Sequence, residues 1–313
     1  MLVDKTALSF TSAGAFPGKL LVFADTLLER FPPLHLQINI TNDCQLHCSY
    51  CSCRDRDRDR RMSEEAFIEA IDQFARAGTR AVTITGGGEP LLHPLFDKYV
   101  AHMVSCGLSV GLVTNGIGMK LWPEDVYRDL AWIRVSFDVF RDELPNLYDS
   151  VPVAYSYVWT KESAEDANLP KLIRMAETGE IAHLRIVSDI CRAEDKAYKF
   201  MAQVPSDSPR VIVQNRNLYT PGAPRCWIAL IKPVLDVDGQ VYPCCGAQYA
   251  TDDKSRDFPS SLAMGTVDEY LLRYSGPGVP FDGTACKKCY YSMYNTVLEV
   301  FRGVPGVEHR EFI

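Results

Sequence analysis

The stretch Leu36-Gln-Ile-Asn-Ile40, followed by Cys44-Gln-Leu-His-Cys48-Ser-Tyr-Cys51, sets the reading of the whole chain. Its first half alternates apolar and polar residues as a strand does. Its second half places three cysteines three and then two residues apart in the loop that leaves that strand. A loop of this length can fold three thiolates around one face of an iron–sulfur cube, whereas a [4Fe–4S] cluster has four irons and normally takes four cysteines. One iron is then left open, and an open coordination site is the mark of a catalytic rather than a structural metal centre. A zinc site or three buried thiols would use the same residues, although no matching Cys/His pair stands at zinc-finger distance.

Working outward, residues 1–34 carry the apolar run Leu20 to Leu28 and a Pro32-Pro33 stop, which predicts an N-terminal helical segment. After the cysteine loop, Arg54-Asp-Arg-Asp-Arg-Asp-Arg-Arg61 alternates charge and reads as a solvated loop. Ser63-Glu-Glu opens a helix with a capping residue and an acidic first turn, ending near Gly78. Further strands are expected at Ala81–Thr85, Ser109–Thr114, Trp132–Phe137, Val153–Trp159 and Leu184–Ile190, with helical patterns at 95–105, 123–130 and 165–178. Strands alternating with helices imply βαβ units and a parallel sheet, and six strands between 36 and 190 make a partial barrel. Sites in such sheets lie at the C-terminal strand ends, where the cysteine loop sits.

The second strand ends in Thr85-Gly-Gly-Gly-Glu-Pro90. Glycines let the backbone approach a ligand closely, and a carboxylate beside them can accept hydrogen bonds from an ammonium group. The triplet Cys44/Cys48/Cys51 with Tyr50 before its last member, together with this Gly-Gly-Glu-Pro, resembles the radical S-adenosylmethionine (SAM) superfamily. The resemblance implies a (β/α)6 partial barrel over residues 35–215. It also implies a [4Fe–4S] cluster on Cys44, Cys48 and Cys51, and cleavage of SAM to methionine and a 5′-deoxyadenosyl radical. By the same resemblance Gly87, Gly88 and Glu89 meet the SAM amino group and Tyr50 the adenine edge. Thr114, Asn115, Ser136, Asp138 and Arg185 are candidates for its ribose or carboxylate. Each of these polar residues is also an ordinary strand-end residue capping a turn.

Past residue 215 the pattern shifts to turns, and Tyr219-Thr-Pro-Gly-Ala-Pro224 suggests a domain boundary, with a second unit over 216–313. There Cys226 and Cys244 flank a hairpin turn at Asp236-Val-Asp-Gly, and Cys286-Lys-Lys-Cys289 closes a set of four thiolates. Zinc and a cluster fit those four equally well by chemistry alone. The arrangement resembles the twitch domain, a small α+β iron–sulfur module that follows some radical SAM cores, and this implies a second [4Fe–4S] cluster on Cys226, Cys244, Cys286 and Cys289. Adjacent residues of an extended segment point opposite ways, so Cys245 faces away from whatever Cys244 binds; either of the two could be the ligand. The Tyr-Pro-Cys-Cys sequence resembles radical SAM epimerases, peptide and aminoglycoside (neomycin-type) ones among them, in which a free cysteine returns a hydrogen atom to the substrate radical. Cys245 is the candidate donor, Cys191 and Cys53 are alternatives, and Cys106 reads as a packing residue.

Composition bounds the rest. The 313 residues are 47% apolar, enough for a full core, and carry 33 basic and 40 acidic side chains, a formal charge of −7. That balance gives no reason to expect nucleic acid or an anionic membrane as partner and suits a cationic substrate. No basic start followed by an apolar stretch and no run of ~20 apolar residues is present, so a cytoplasmic protein is expected. Eleven cysteines, an odd number in tight groups, fit metal-bound thiols better than disulfides. The leading expectation is an epimerase acting on an aminoglycoside-type sugar, served by an external flavodoxin- or ferredoxin-type electron donor. The alternatives are an aminocyclitol dehydrogenase and an epimerase or maturase of a ribosomal peptide.

Overall fold

Among the described residues nine strands are present: β1 (His35–Asn39), β2 (Ala81–Thr85), β3 (Ser109–Thr114), β4 (Trp132–Phe137), β5 (Val153–Trp159), β6 (Leu184–Ser188), β7 (Val211–Gln214), β8 (Val234–Leu235) and β9 (Val241–Tyr242). In this computed structural model, which describes residues 18–137, 149–160, 166–189, 204, 206–214, 220–251, 257–275 and 279–303, they join in one sheet of order β7-β6-β5-β4-β3-β2-β1-β8-β9. All neighbours are parallel except the hairpin β8–β9. The six expected strands stand where the alternation puts them, to within a residue or two at the ends of the first and last. The short strand β7 and the edge strand β8 extend the sheet beyond the expected six.

Between the strands run α2 (Glu64–Ala77), α3 (Phe96–Ser105), α4 (Glu124–Arg128) and α5 (Asn168–Thr178). The helix α2 begins where Ser63 Oγ accepts from Ala66 N and stops at Gly78, whose φ of 104° a glycine adopts without strain. Its Phe67, Ala70, Ile71 and Phe74 recur at helical spacing and are buried against the sheet. Strand parity does the complementary work. In β4, Ile133, Val135 and Phe137 are buried on the helix side, while Trp132, Arg134 and Ser136 face the barrel interior. Gln37 and Asn39 of β1, Thr83 and Thr85 of β2, Ser156 of β5 and Arg185 of β6 face the same interior. A barrel filled with Val, Ile and Leu is solid; this polar lining keeps the barrel hollow.

The N-terminal segment closes the bottom of the barrel. The run expected as one helix breaks at Phe23 into a turn of helix at 18–22 and α1 (Ala24–Glu29). Lys19, Leu20 and Phe23 line the interior cavity, and Phe31 stacks on Trp227 at 4.9 Å between ring centroids. Trp227 leads into α6 (Ile228–Ile231), and α1 also packs on the last described helix, α7 (Ser292–Gly303). Of the stretch 219–224 read as a boundary, residue 219 lies outside the described residues, and the chain beyond it returns to the same sheet. There Val234 and Leu235 of β8 pair with Gln37 and Ile38 of β1. Among the described residues no helix is long and apolar enough to cross a membrane.

Candidate active site

The loop after β1 is held in shape by the charge run that follows it. The expectation of a solvated loop is corrected here, because four of its arginines bind the cysteine loop or its neighbours. Arg54 Nη1 donates to Ser49 O at 2.9 Å; Arg58 donates to the carbonyls of Cys44 and Leu46; Arg61 pairs with Asp43 at 2.7 Å. Arg56 is 4% exposed, forms a 2.9 Å ion pair with Asp236 and stacks over Phe258 at 4.8 Å. Asp236, at the end of β8, also accepts from Asn39 Nδ2 of β1 at 2.7 Å. A linear pattern of alternating charges cannot reveal that its partners are carbonyls and a carboxylate some 180 residues away.

The glycine run then docks on this loop. A Cβ on Gly88 would lie 2.1 Å from Asp43 O, and one on Gly87 would lie 1.8 Å from Asn42 Oδ1. The backbones meet directly, Gly88 N donating to Thr41 O at 2.8 Å and Glu89 N to Asp43 O at 2.6 Å. These glycines therefore let one loop approach the other, not a ligand alone. Glu89 is 2% exposed, and its carboxylate accepts from Thr114 Oγ1 (2.6 Å), Asn115 N (2.6 Å) and Leu91 N (3.1 Å). Thr114 Oγ1 in turn accepts from Gly116 N at 2.9 Å. Thr114 is thus a support for Glu89, and the end of β3 fixes the acid offered by the end of β2.

All of this borders one cavity of about 620 Å³, within the range of small-molecule sites. Cys44, Cys48, Cys51, Tyr50, Gly87, Gly88, Glu89, Thr114, Asn115, Ser136 and Arg185 line it. Asp138 lies outside the described residues, as does Cys191. Cys245 comes to the same cavity from the far end of the chain, as does Cys53, whose Sγ donates to Gln248 Oε1 at 3.1 Å. Among the described lining residues there are seven lysine or arginine side chains and one carboxylate, Glu89. The expectation of a cationic substrate was drawn from the charge of the whole chain, which is not the charge of this described lining.

Residues 38–168 match the family model of the radical SAM superfamily. The chain carries a radical SAM domain. PqqA peptide cyclase of Methylorubrum populi is 31% identical over 110 residues, which is 34% of this chain and 28% of that protein. GTP 3′,8-cyclase of Limosilactobacillus fermentum is 30% identical over 127 residues, 38% of each chain. The chain thus spans about a third of the length of these curated relatives. Streptococcus suis SuiB, solved bound to precursor peptide SuiA, shares the fold with a TM-score of 0.54 at 14% identity, over 90% of this chain and 76% of that one.

The radical SAM domain implies a [4Fe–4S] cluster and SAM, and the residues fit both. Burial raises the Cys44 thiol above its ordinary pKa, so a thiolate there needs a cation such as iron to hold it. The loop is already shaped by its arginine clamps, and the cavity beside it has room for a ligand.

The second cysteine set closes on a separate, small cavity lined by Cys226, Cys244, Cys286 and Cys289. Backbone bridges Cys226–Phe281 and Thr220–Cys289 bring its members together, and Gly222 lies where a Cβ would be 2.1 Å from Gly283 O. Burial first, and then the neighbouring thiolates, push Cys226 up to about 11, Cys286 to about 12 and Cys244 well above the ordinary thiol range. Thiols so placed stay protonated unless a metal centre holds them as thiolates. Among the described residues, ligand atoms meet in threes within 4.8 Å only at Asp72, His102 and Cys106, on the outer helices. Cys106 packs on α3 as expected, its Sγ 3.6 Å from Asp72 Oδ1.

Sequence reasoning missed Arg56, Arg58, Arg134, Lys232 and Tyr291 at this site. Arg134 and Ser136 alternate with buried apolar residues in β4, a signal for an inward polar row. Lys232 and Tyr291 carry no such pattern, since only the return of the chain to β1 brings them to the cavity.

Proposed function

We propose that this chain is a redox-neutral radical SAM epimerase whose hydrogen-atom donor is Cys245. Cys44, Cys48 and Cys51 would hold the catalytic [4Fe–4S] cluster, and Cys226, Cys244, Cys286 and Cys289 an auxiliary one. With SAM bound, that chemistry supplies a carbon-centred radical able to take a hydrogen atom from a substrate C–H bond. The observation that carries the reading is the division of the doubled cysteine: Cys244 lines the small four-sulfur cavity, while Cys245 lines the large one. Cys245 Sγ lies 3.2 Å from Tyr291 Oη, and burial holds that phenol well above its ordinary pKa, so it is a neutral hydrogen-bond partner that orients the thiol. The weak S–H bond of Cys245 gives its hydrogen atom to the substrate radical. The thiyl left behind returns to thiol on taking one electron and one proton, the electron from an external flavodoxin- or ferredoxin-type donor.

Turnover in heavy water tests the donor. A thiol exchanges with solvent, so the inverted carbon is expected to carry one deuterium, and Cys245→Ala is expected to cleave SAM and remove substrate hydrogen without inversion. A product two mass units lighter, with a new carbonyl and no deuterium at that carbon, identifies a dehydrogenase and overturns the epimerase reading. Normal inversion by Cys245→Ala removes Cys245 from the mechanism.

A further inference from the structure

Helices α2 and α3 lead into and out of β2 on the outside of the barrel, and three groups of metal-ligating type meet between them. His102 and Cys106 stand four residues apart at the end of α3, where Cys106 N still donates to His102 O at 3.1 Å, so one helical turn puts both side chains on one face. Asp72 of α2 reaches them. Its Oδ1 lies 2.9 Å from His102 Nε2 and 3.6 Å from Cys106 Sγ, and that sulfur lies 3.7 Å from the same Nε2. Other contacts already fix the two helices against each other: Phe67 of α2 stacks on Tyr99 of α3 with ring centroids 3.7 Å apart and meets the His102 ring edge-on at 6.5 Å, and Glu64 pairs with Lys98 at 3.7 Å.

The triangle of donor atoms has the size of one face of a coordination tetrahedron. Around a zinc ion with nitrogen and oxygen at about 2.0–2.2 Å and sulfur at about 2.3 Å, sulfur stands about 3.6 Å from its neighbours and nitrogen about 3.4 Å from oxygen. Both sulfur distances match, and the His102–Asp72 pair has only to open by about half an ångström. A thiol, an imidazole and a carboxylate also make up a nucleophile with its base. In that arrangement the carboxylate holds one ring nitrogen and the sulfur meets the other, whereas here the single atom Nε2 faces both. Asp72 forms no ion pair with a lysine or arginine among the described residues, so its charge is not already neutralised by a side-chain cation of that kind.

We propose that Asp72, His102 and Cys106 form a zinc site bridging α2 and α3, with the fourth position left to water. All three side chains are partly exposed, which gives the ion a path in and the water its place. On binding, the Cys106 S–H bond breaks and its proton passes to solvent; His102 gives up its Nε2 proton and carries one on Nδ1; bonds from zinc to sulfur, nitrogen and oxygen form, and no electron moves. Thiolate with imidazole selects zinc over magnesium and calcium, which take oxygen donors. Cys106 lies three residues ahead of Ser109, the first residue of β3, and so at the N-terminal end of the strands, away from the cysteine loop. None of the three residues lines either cavity, and the site is independent of the radical chemistry.

Equilibrium dialysis of the iron-loaded enzyme against buffered zinc tests the site without turnover. About one zinc per chain is expected to bind, with iron content unchanged and magnesium unable to compete. Asp72→Asn, His102→Gln and Cys106→Ala are each expected to weaken zinc about tenfold or more, because even the outer partners of metal ligands are worth that much; circular dichroism reports folding. X-ray absorption at the zinc edge is expected to show one sulfur at about 2.3 Å and lighter atoms at about 2.0–2.2 Å, and hydrogen exchange in α2 and α3 is expected to slow when zinc is added. Zinc surrounded by sulfur alone has entered a cluster site and overturns the proposal, and a shell with no sulfur is adventitious surface binding and does the same. So does a chain that binds no zinc, or an affinity unchanged in all three variants. SAM cleavage is expected to be the same in the variants as in the parent, so the zinc site stands or falls apart from the role of Cys245.

Discussion

Both carboxylate oxygens of Glu89 are occupied by donors of its own chain, Thr114 Oγ1 and Leu91 N on one side and Asn115 N on the other. Glu89→Gln therefore does more than remove a charge, since whichever way its amide turns, its NH2 faces a backbone N–H. The variant is expected to keep both iron–sulfur sites and to bind SAM roughly ten- to a hundredfold more weakly, as equilibrium dialysis would measure; near-normal affinity would take Glu89 out of the SAM site. A second residue sets an acid limit. His183 is fully buried, and burial together with Arg134 and Arg185 lowers its pKa to about 3. The unfolded chain binds a proton there near pH 6.5 and the folded one only near 3, so stability is full above about 6.5 and is lost as pH falls between those values. Denaturant midpoints measured from pH 7 down to 4 are expected to fall, and to fall less in His183→Gln. The buried pair Arg56–Asp236 sets a third expectation: Asp236→Ala leaves an arginine buried without its ion-pair partner and is expected to cost about 3–5 kcal/mol of stability.

At the scale of elements, the decisive contact is between two loops at the C-terminal ends of β1 and β2. Gly88→Ala would put a methyl carbon 2.1 Å from Asp43 O, a backbone atom that cannot rotate away. The loops would have to part, and the protein is expected to retain about four irons per chain in place of about eight, with the loss confined to the first site; a full complement of iron in this variant would mean that the loops can separate without releasing metal. Both loops were legible in the sequence because their chemistry is local: a cysteine spacing, a glycine run, a carboxylate. The charge run at 54–61 was not. Alternating Arg and Asp describes an exposed loop equally well until Asp236, Ser49 O and Leu46 O are placed around it. Strand β7, four residues long, carried too little alternation to stand out, and β8, with two residues, is defined only by its pairing with β1.

Across the whole molecule, two cysteine sets lie on two cavities and are joined through Cys244 and Cys245. Replacing Cys44, Cys48 and Cys51 together is expected to leave one cluster, about four irons, and no SAM cleavage, read by iron analysis and by chromatography of 5′-deoxyadenosine. Formation of that nucleoside by the triple variant would move the catalytic centre elsewhere. The amino-acid sequence by itself determined the order of strands and helices, the three-cysteine loop, the glycine–glutamate turn and the four later thiols. These rest on periodicity and spacing, which short stretches of chain encode. Only the tertiary structure decided that the chain past residue 220 rejoins the first strand, that Cys245 and Lys232 face the same hollow as Cys44, and that the described lining of this hollow is mostly basic in a chain of net charge −7. A net charge is a sum over all residues and carries no positions; the sign of a cavity is set by which few side chains the fold turns inward.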